Sequence, residues 1–178
     1  PDWDWSKTYP VLKLDMSGCQ AATVDMLWQK IRVQLLRNAE RLGVPRREGL
    51  PVSGQVEMLI SDLAERSPDG KVVLLVDEYD KPLLGHLGKP DVNDIRDELK
   101  AFYSVVKTLE GRQRFTFLTG ISKFSKVSIF SDLNNLNEFS MDARVATLFG
   151  YTHEEVESNF PESLAALGAK QGIGRAHV

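Results

Sequence analysis

The 178 residues predict an α/β domain, a three-layer sandwich built on a mostly parallel sheet. Two observations carry that reading. Short apolar runs alternate along the chain with longer stretches whose apolar residues recur at helical spacing, the pattern of β-α-β units. In addition, one run, "KVVLLVDEYDKPLL", packs five apolar residues in a row before two adjacent acids, as a buried strand does when it leaves the core.

The elements follow in order. "YPVLKLDMSG" (9–18) reads as a largely buried strand ending in a Ser-Gly turn. From about residue 22 to 42, Val24, Leu27, Trp28, Ile31, Leu35 and Leu42 fall at helical spacing, and Gly43 and Pro45 stop the helix. "PRREGLP" is a loop. Val56, Leu59, Ile60 and Leu63 mark a second amphipathic helix, closed by "SPDG". Residues 71–76 form the second strand, and "KPLLGHLGKPD" is expected to be a loop. Asp91 or Asn93 can cap a third helix with Ile95, Leu99, Phe102, Val106 and Leu109 on one face. "RFTFLTG" (114–120) is the third strand, and a Ser- and Asn-rich loop follows it. A short strand is expected near 138–140. Thr152 with Glu155 three residues on predicts a capped helix start. This order places helices on both faces of the sheet.

Composition narrows the function. A net charge of −3 gives no global attraction to nucleic acid or anionic lipid. One cysteine, Cys19, excludes a disulfide framework and a Cys-based zinc site, and a reducing, cytoplasmic setting is the simplest expectation. No apolar run approaches the roughly 20 residues that cross a bilayer. No linker or repeat divides residues 1–172, which are read as one partial domain. The last six residues, "IGRAHV" (173–178), are read as a non-native tail, because they match one frame of a common sequencing-adapter DNA.

The acids after the second strand are the chemical signal. Ligands of open α/β sheets bind beyond the carboxyl ends of the strands. Phosphoryl transfer needs one acid near Mg²⁺ and often a second to polarise the attacking water. Asp77 fits the first role, through a water, and Glu78 the second. Asp80 is a candidate third acid, although "DKP" also suits a turn. Thr119 and Ser122 follow the third strand, where a small polar side chain could sense a γ-phosphate. Taken singly, each of these residues is also an ordinary loop former or strand end. His86 and His153 lack a second ligand at metal-binding spacing and are read as solvated or capping.

The segments "VVLLVDEYDKPLL", "FLTGISKFSKVSIFSDLNNLN" and "LFGYTHEEVE" resemble the bacterial AAA-ATPase-like family, and "YPVLKLDMSG" resembles the strand after its first helix. The resemblance runs from Trp5 to about Gly172. It implies a P-loop NTPase fold, with Asp77 and Glu78 as the Walker B pair and Thr119 near the sensor position. It places Lys123, Ser125, Asn134 and Asn135 in the family's signature loop, and Ser122 and Lys123 close to the nucleotide. It further implies ATP and Mg²⁺ as ligands of the complete protein. Members often carry a C-terminal PD-(D/E)XK nuclease-like domain, through which nucleic acid becomes a possible partner.

The resemblance also implies a phosphate loop before the first strand. Nothing in the 178 residues has the form GxxxxGK followed by Ser or Thr. The chain is therefore expected to be a fragment that binds MgATP weakly or not at all. Two rival readings remain: a non-catalytic interaction module that keeps the fold, and a nuclease using Asp77 and Glu78 as metal ligands. The second lacks a Lys at the needed spacing.

Overall fold

The computed structural model describes residues 4–19, 22–121, 136–140, 142–148 and 150–171. They form two compact units, 1–136 and 137–178.

The first unit contains the sheet. Its elements are β1 (Val11–Asp15), α1 (Val24–Arg41), α2 (Val52–Arg66), β2 (Val72–Asp77), α3 (Lys81–Leu84), α4 (Val92–Thr108) and β3 (Gln113–Leu118). The strands lie in the order β1-β2-β3, all parallel. Each parallel step needs a crossover, supplied first by α1 and α2 and then by α3 and α4. Asp15 lies opposite Asp77 in the β1–β2 register, so both strands end at one level.

Alternation along the strands sorts their residues onto two faces. Leu12, Leu14, Val72, Leu74 and Val76 are at most 1% exposed, and they share one core with the apolar stripes of α1, α2 and α4. Val73 and Leu75, on the other face, are only half-buried, and Phe115 beside them is 52% exposed. The second helical layer of the expected sandwich is not present among the described residues. The strand order gives the reason. Right-handed crossovers that keep advancing in one direction put all their helices on the same face.

Local signals account for the helix ends. Thr23 caps α1, its hydroxyl accepting from the Met26 N–H at 3.3 Å, and Gly43 leaves the helix at φ +68°. Two expectations are corrected. The segment after β2 is not all loop, because Lys81–Leu84 make one helical turn with Pro82 in its first positions. His86 is neither solvated nor capping: it is 1% exposed, with Nδ1 3.0 Å from both carboxylate oxygens of Asp91. Asp91, at the start of α4, therefore spends its side chain on His86 and makes no cap bond.

In the second unit, residues 138–140 form no strand. The helices α5 (His153–Asn159) and α6 (Pro161–Gln171) follow. Thr152 and Glu155 complete the predicted capping box, with Glu155 N–H to Thr152 Oγ1 at 3.1 Å and Thr152 N–H to Glu155 Oε2 at 2.8 Å. No helix among the described residues is long and apolar enough to cross a membrane.

Candidate active site

The central strand β2 carries the site. Its apolar residues end at Asp77, and the chain then turns sharply, with Glu78 at φ +51°. A non-glycine residue in the left-handed region is uncommon and tends to be held there by its surroundings. Here the surroundings are the tips of both neighbouring strands. Met16 N–H donates to Asp77 O at 2.9 Å from the β1 side. On the β3 side, Thr119 N–H donates to Val76 O and Tyr79 N–H to Thr119 O, both at 2.9 Å.

The Thr119 side chain completes the link. Its hydroxyl donates to Asp77 Oδ1 and accepts from the Glu78 N–H at 3.4 Å. One hydroxyl thus uses both its donor and its acceptor capacity on the two candidate acids. The "DEYD" run divides by exposure: Asp77 is exposed and Glu78 half-exposed, whereas Tyr79 and Asp80 are buried. Glu78 Oε2 lies 3.4 Å from Lys81 Nζ across the first turn of α3.

Two residues that the sequence reading passed over support this loop. Tyr103, on α4, is fully buried and donates its hydroxyl to Tyr79 O at 3.3 Å. Burial, then the neighbouring Tyr79 and Asp80, push its pKa strongly upward, so the hydroxyl stays a donor. Gly120 is the other. A Cβ there would lie 2.6 Å from Tyr79 Cε1 and 2.7 Å from Asp80 Oδ1. Neither is marked locally: Gly120 lies two residues past the end of β3, where a glycine is an ordinary turn former, and Tyr103 is one more aromatic beside Phe102 in an amphipathic helix.

The structure brings Asp77, Glu78 and Thr119 together. Asp80 lies below them as a buried residue at the start of α3. Ser122, Lys123, Ser125, Asn134 and Asn135 lie outside the described residues. Cys19 is buried, and burial raises its thiol pKa. No group of three or more His, Cys, Asp or Glu among the described residues could hold a metal unaided.

Comparison with known proteins fixes the family. A family model described as "Predicted AAA-ATPase" matches residues 1–130, which include all three strands and the Asp77–Glu78 pair. The chain belongs to this AAA-ATPase-like family. A protein of Azotobacter chroococcum mcd 1, "Uncharacterized protein in vnfD 5'region", is 42% identical to it over 168 residues. The aligned part takes in 93% of this AAA-ATPase-like chain but 32% of that relative. No solved structure matches it.

Proposed function

We propose that this chain contributes the water-polarising and metal-facing half of an ATP-hydrolysing site. The observation that carries the reading is the Asp77–Glu78 pair at the C-terminal tip of the central parallel strand, held by the hydroxyl of Thr119 from the adjacent strand tip. That is where ligands of open α/β sheets bind.

The donor set fits Mg²⁺. This ion usually keeps several waters and takes one or two carboxylates plus substrate phosphates, and Asp77 offers one exposed carboxylate at the strand tip. Asp77 is the residue that would hold it, through a water. When bound with nucleotide, Mg²⁺ neutralises charge on the phosphate oxygens. Glu78 is the general base, orienting the attacking water and accepting its proton. Its half-exposed carboxylate has to share or leave Lys81 to do so. Thr119 is the residue through which the state of the γ-phosphate reaches the strand tip. Tyr103 and Gly120 keep the Tyr79–Asp80 turn packed, which fixes where Glu78 points.

Backbone N–H groups of a glycine-rich loop would supply most of the phosphate contacts, on a strand added beside β3 in a P-loop NTPase fold. In the whole protein, hydrolysis would drive a conformational change in an attached module, with a nuclease-like domain as the favoured candidate. In a protein that includes the phosphate loop, Glu78→Gln should reduce turnover by about 10²-fold or more while ATP still binds. Equal turnover by wild type and variant would remove Glu78 as the base.

A further inference from the structure

The edge of β1 away from β2 is a second polar site. An edge strand normally leaves a row of backbone N–H and C=O groups open. Here α1 fills that row with side chains. Gln34 Oε1 accepts from Asp15 N–H at 2.8 Å and Gln34 Nε2 donates to Asp15 O at 2.6 Å. Asn38 repeats the pattern on Lys13, accepting its N–H at 3.4 Å and donating to its C=O at 2.8 Å. Arg41 Nη2 donates to Val11 O at 2.7 Å and to Asn38 Oδ1 at 2.8 Å. Helical spacing on α1 thus matches the two-residue repeat of the strand.

Beside this ladder lies an open surface groove lined by Val11, Lys13, Asp15, Gln34, Arg37, Asn38 and Arg41. Its lining carries three cations against one acid, in a chain whose net charge is −3. Among the described residues neither Lys13 nor Arg37 has a carboxylate within ion-pair distance. The acid, Asp15, is engaged by Ser17, whose N–H donates to Asp15 Oδ1 at 2.8 Å. Arg41 is pre-set by the ladder, with part of its guanidinium left for another acceptor.

We propose that this groove binds a small phosphate-bearing molecule, its oxyanion held by Lys13, Arg37 and Arg41. No aromatic side chain lines the groove, which disfavours a single-stranded nucleic acid that would need bases to stack. Guanidinium and ammonium groups are the usual partners of a phosphate. The groove runs along the outer edge of β1, and its Asp15 end lies beside Asp77 in the sheet register.

The test is a titration of the full chain with inorganic phosphate, followed by the amide NMR shifts of Lys13, Gln34, Asn38 and Arg41. Potassium chloride at equal ionic strength is the control. The expected result is saturable shifts with phosphate and none with chloride. Lys13→Ser with Arg37→Ser should weaken binding at least tenfold, and Asp15→Asn should tighten it, because the acid in the described lining is gone. Both substituted cations are exposed, so circular dichroism should show the same fold. Equal responses to phosphate and chloride, or binding unchanged in the double variant, would overturn the proposal.

Discussion

Glu78 adopts a backbone conformation in which a glycine is at ease, and it does so beside the acid proposed to face the metal. Such a position costs about 1 kcal/mol or more, which the surrounding hydrogen bonds must offset. Glu78→Gly should therefore stabilise the chain by about 0.5–1 kcal/mol in urea unfolding, net of the weak Lys81 contact, while removing the proposed base. Loss of stability in that variant would show that the side chain, and not the strain, dominates there. The reverse holds at Gly120, where the obstacle is packed atoms. Gly120→Ala drives a Cβ into the Tyr79 ring and the Asp80 carboxylate and should cost about 1–3 kcal/mol by the same measurement. The role proposed for Asp77 and Glu78 could be read from the sequence because an apolar strand ending in two acids is a local pattern. The parts played by Tyr103 and Gly120 could not, because they depend on a helix and a strand tip meeting a turn far away in the chain.

The polar ladder on α1 is a property of two elements in register. Asn38 is 8% exposed, and it serves both Lys13 backbone groups and the α1 carbonyl of Gln34. Asn38→Ala removes its hydrogen bonds to part-buried backbone groups and should cost about 0.5–1.5 kcal/mol. It should also make the chain more prone to associate through the opened β1 edge, seen as a rise in light scattering with concentration. Unchanged stability and scattering would mean that water replaces the side chain. The sequence showed α1 through its apolar stripe of Leu27, Trp28, Ile31 and Leu35. Its polar face carries no such signal, since Gln34, Asn38 and Arg41 gain meaning only from the strand edge they meet. The short α3 carries no helical signal in the sequence, because one turn is too brief for periodicity and its Pro82 also suits a loop.

Across the whole molecule, acid should be the condition that loosens the fold. The Asp91 carboxyl is held below its ordinary pKa, first by the bond with His86, and Asp15 likewise, first by the Ser17 side chain. Groups with lowered native pKa values stabilise fully above the ordinary value near 3.8 and lose that contribution as pH falls towards the native one. The urea midpoint should thus be insensitive to these two acids from neutral pH down to about 5, then fall below about 4. Asp91→Asn should flatten part of that fall, and a slope unchanged by the substitution would contradict the assignment. The alternation of strands and helices was legible over the first unit because each crossover is long and regular. That the helices among the described residues cover one face of the sheet was not, since this follows from strand order, which local sequence does not carry. On the other face Phe115 and Phe117 stack their rings at 6.0 Å.

The central claim is that Asp77 and Glu78 divide metal holding and base catalysis between them. Its most direct test uses a protein containing this chain and its phosphate loop, in which Mg²⁺-dependent ATP binding and single-turnover phosphate release are measured side by side. Glu78→Gln should retain ATP and release almost no phosphate, whereas Asp77→Asn should lose the Mg²⁺-dependent part of binding as well. Wild-type phosphate release by both variants would contradict the account.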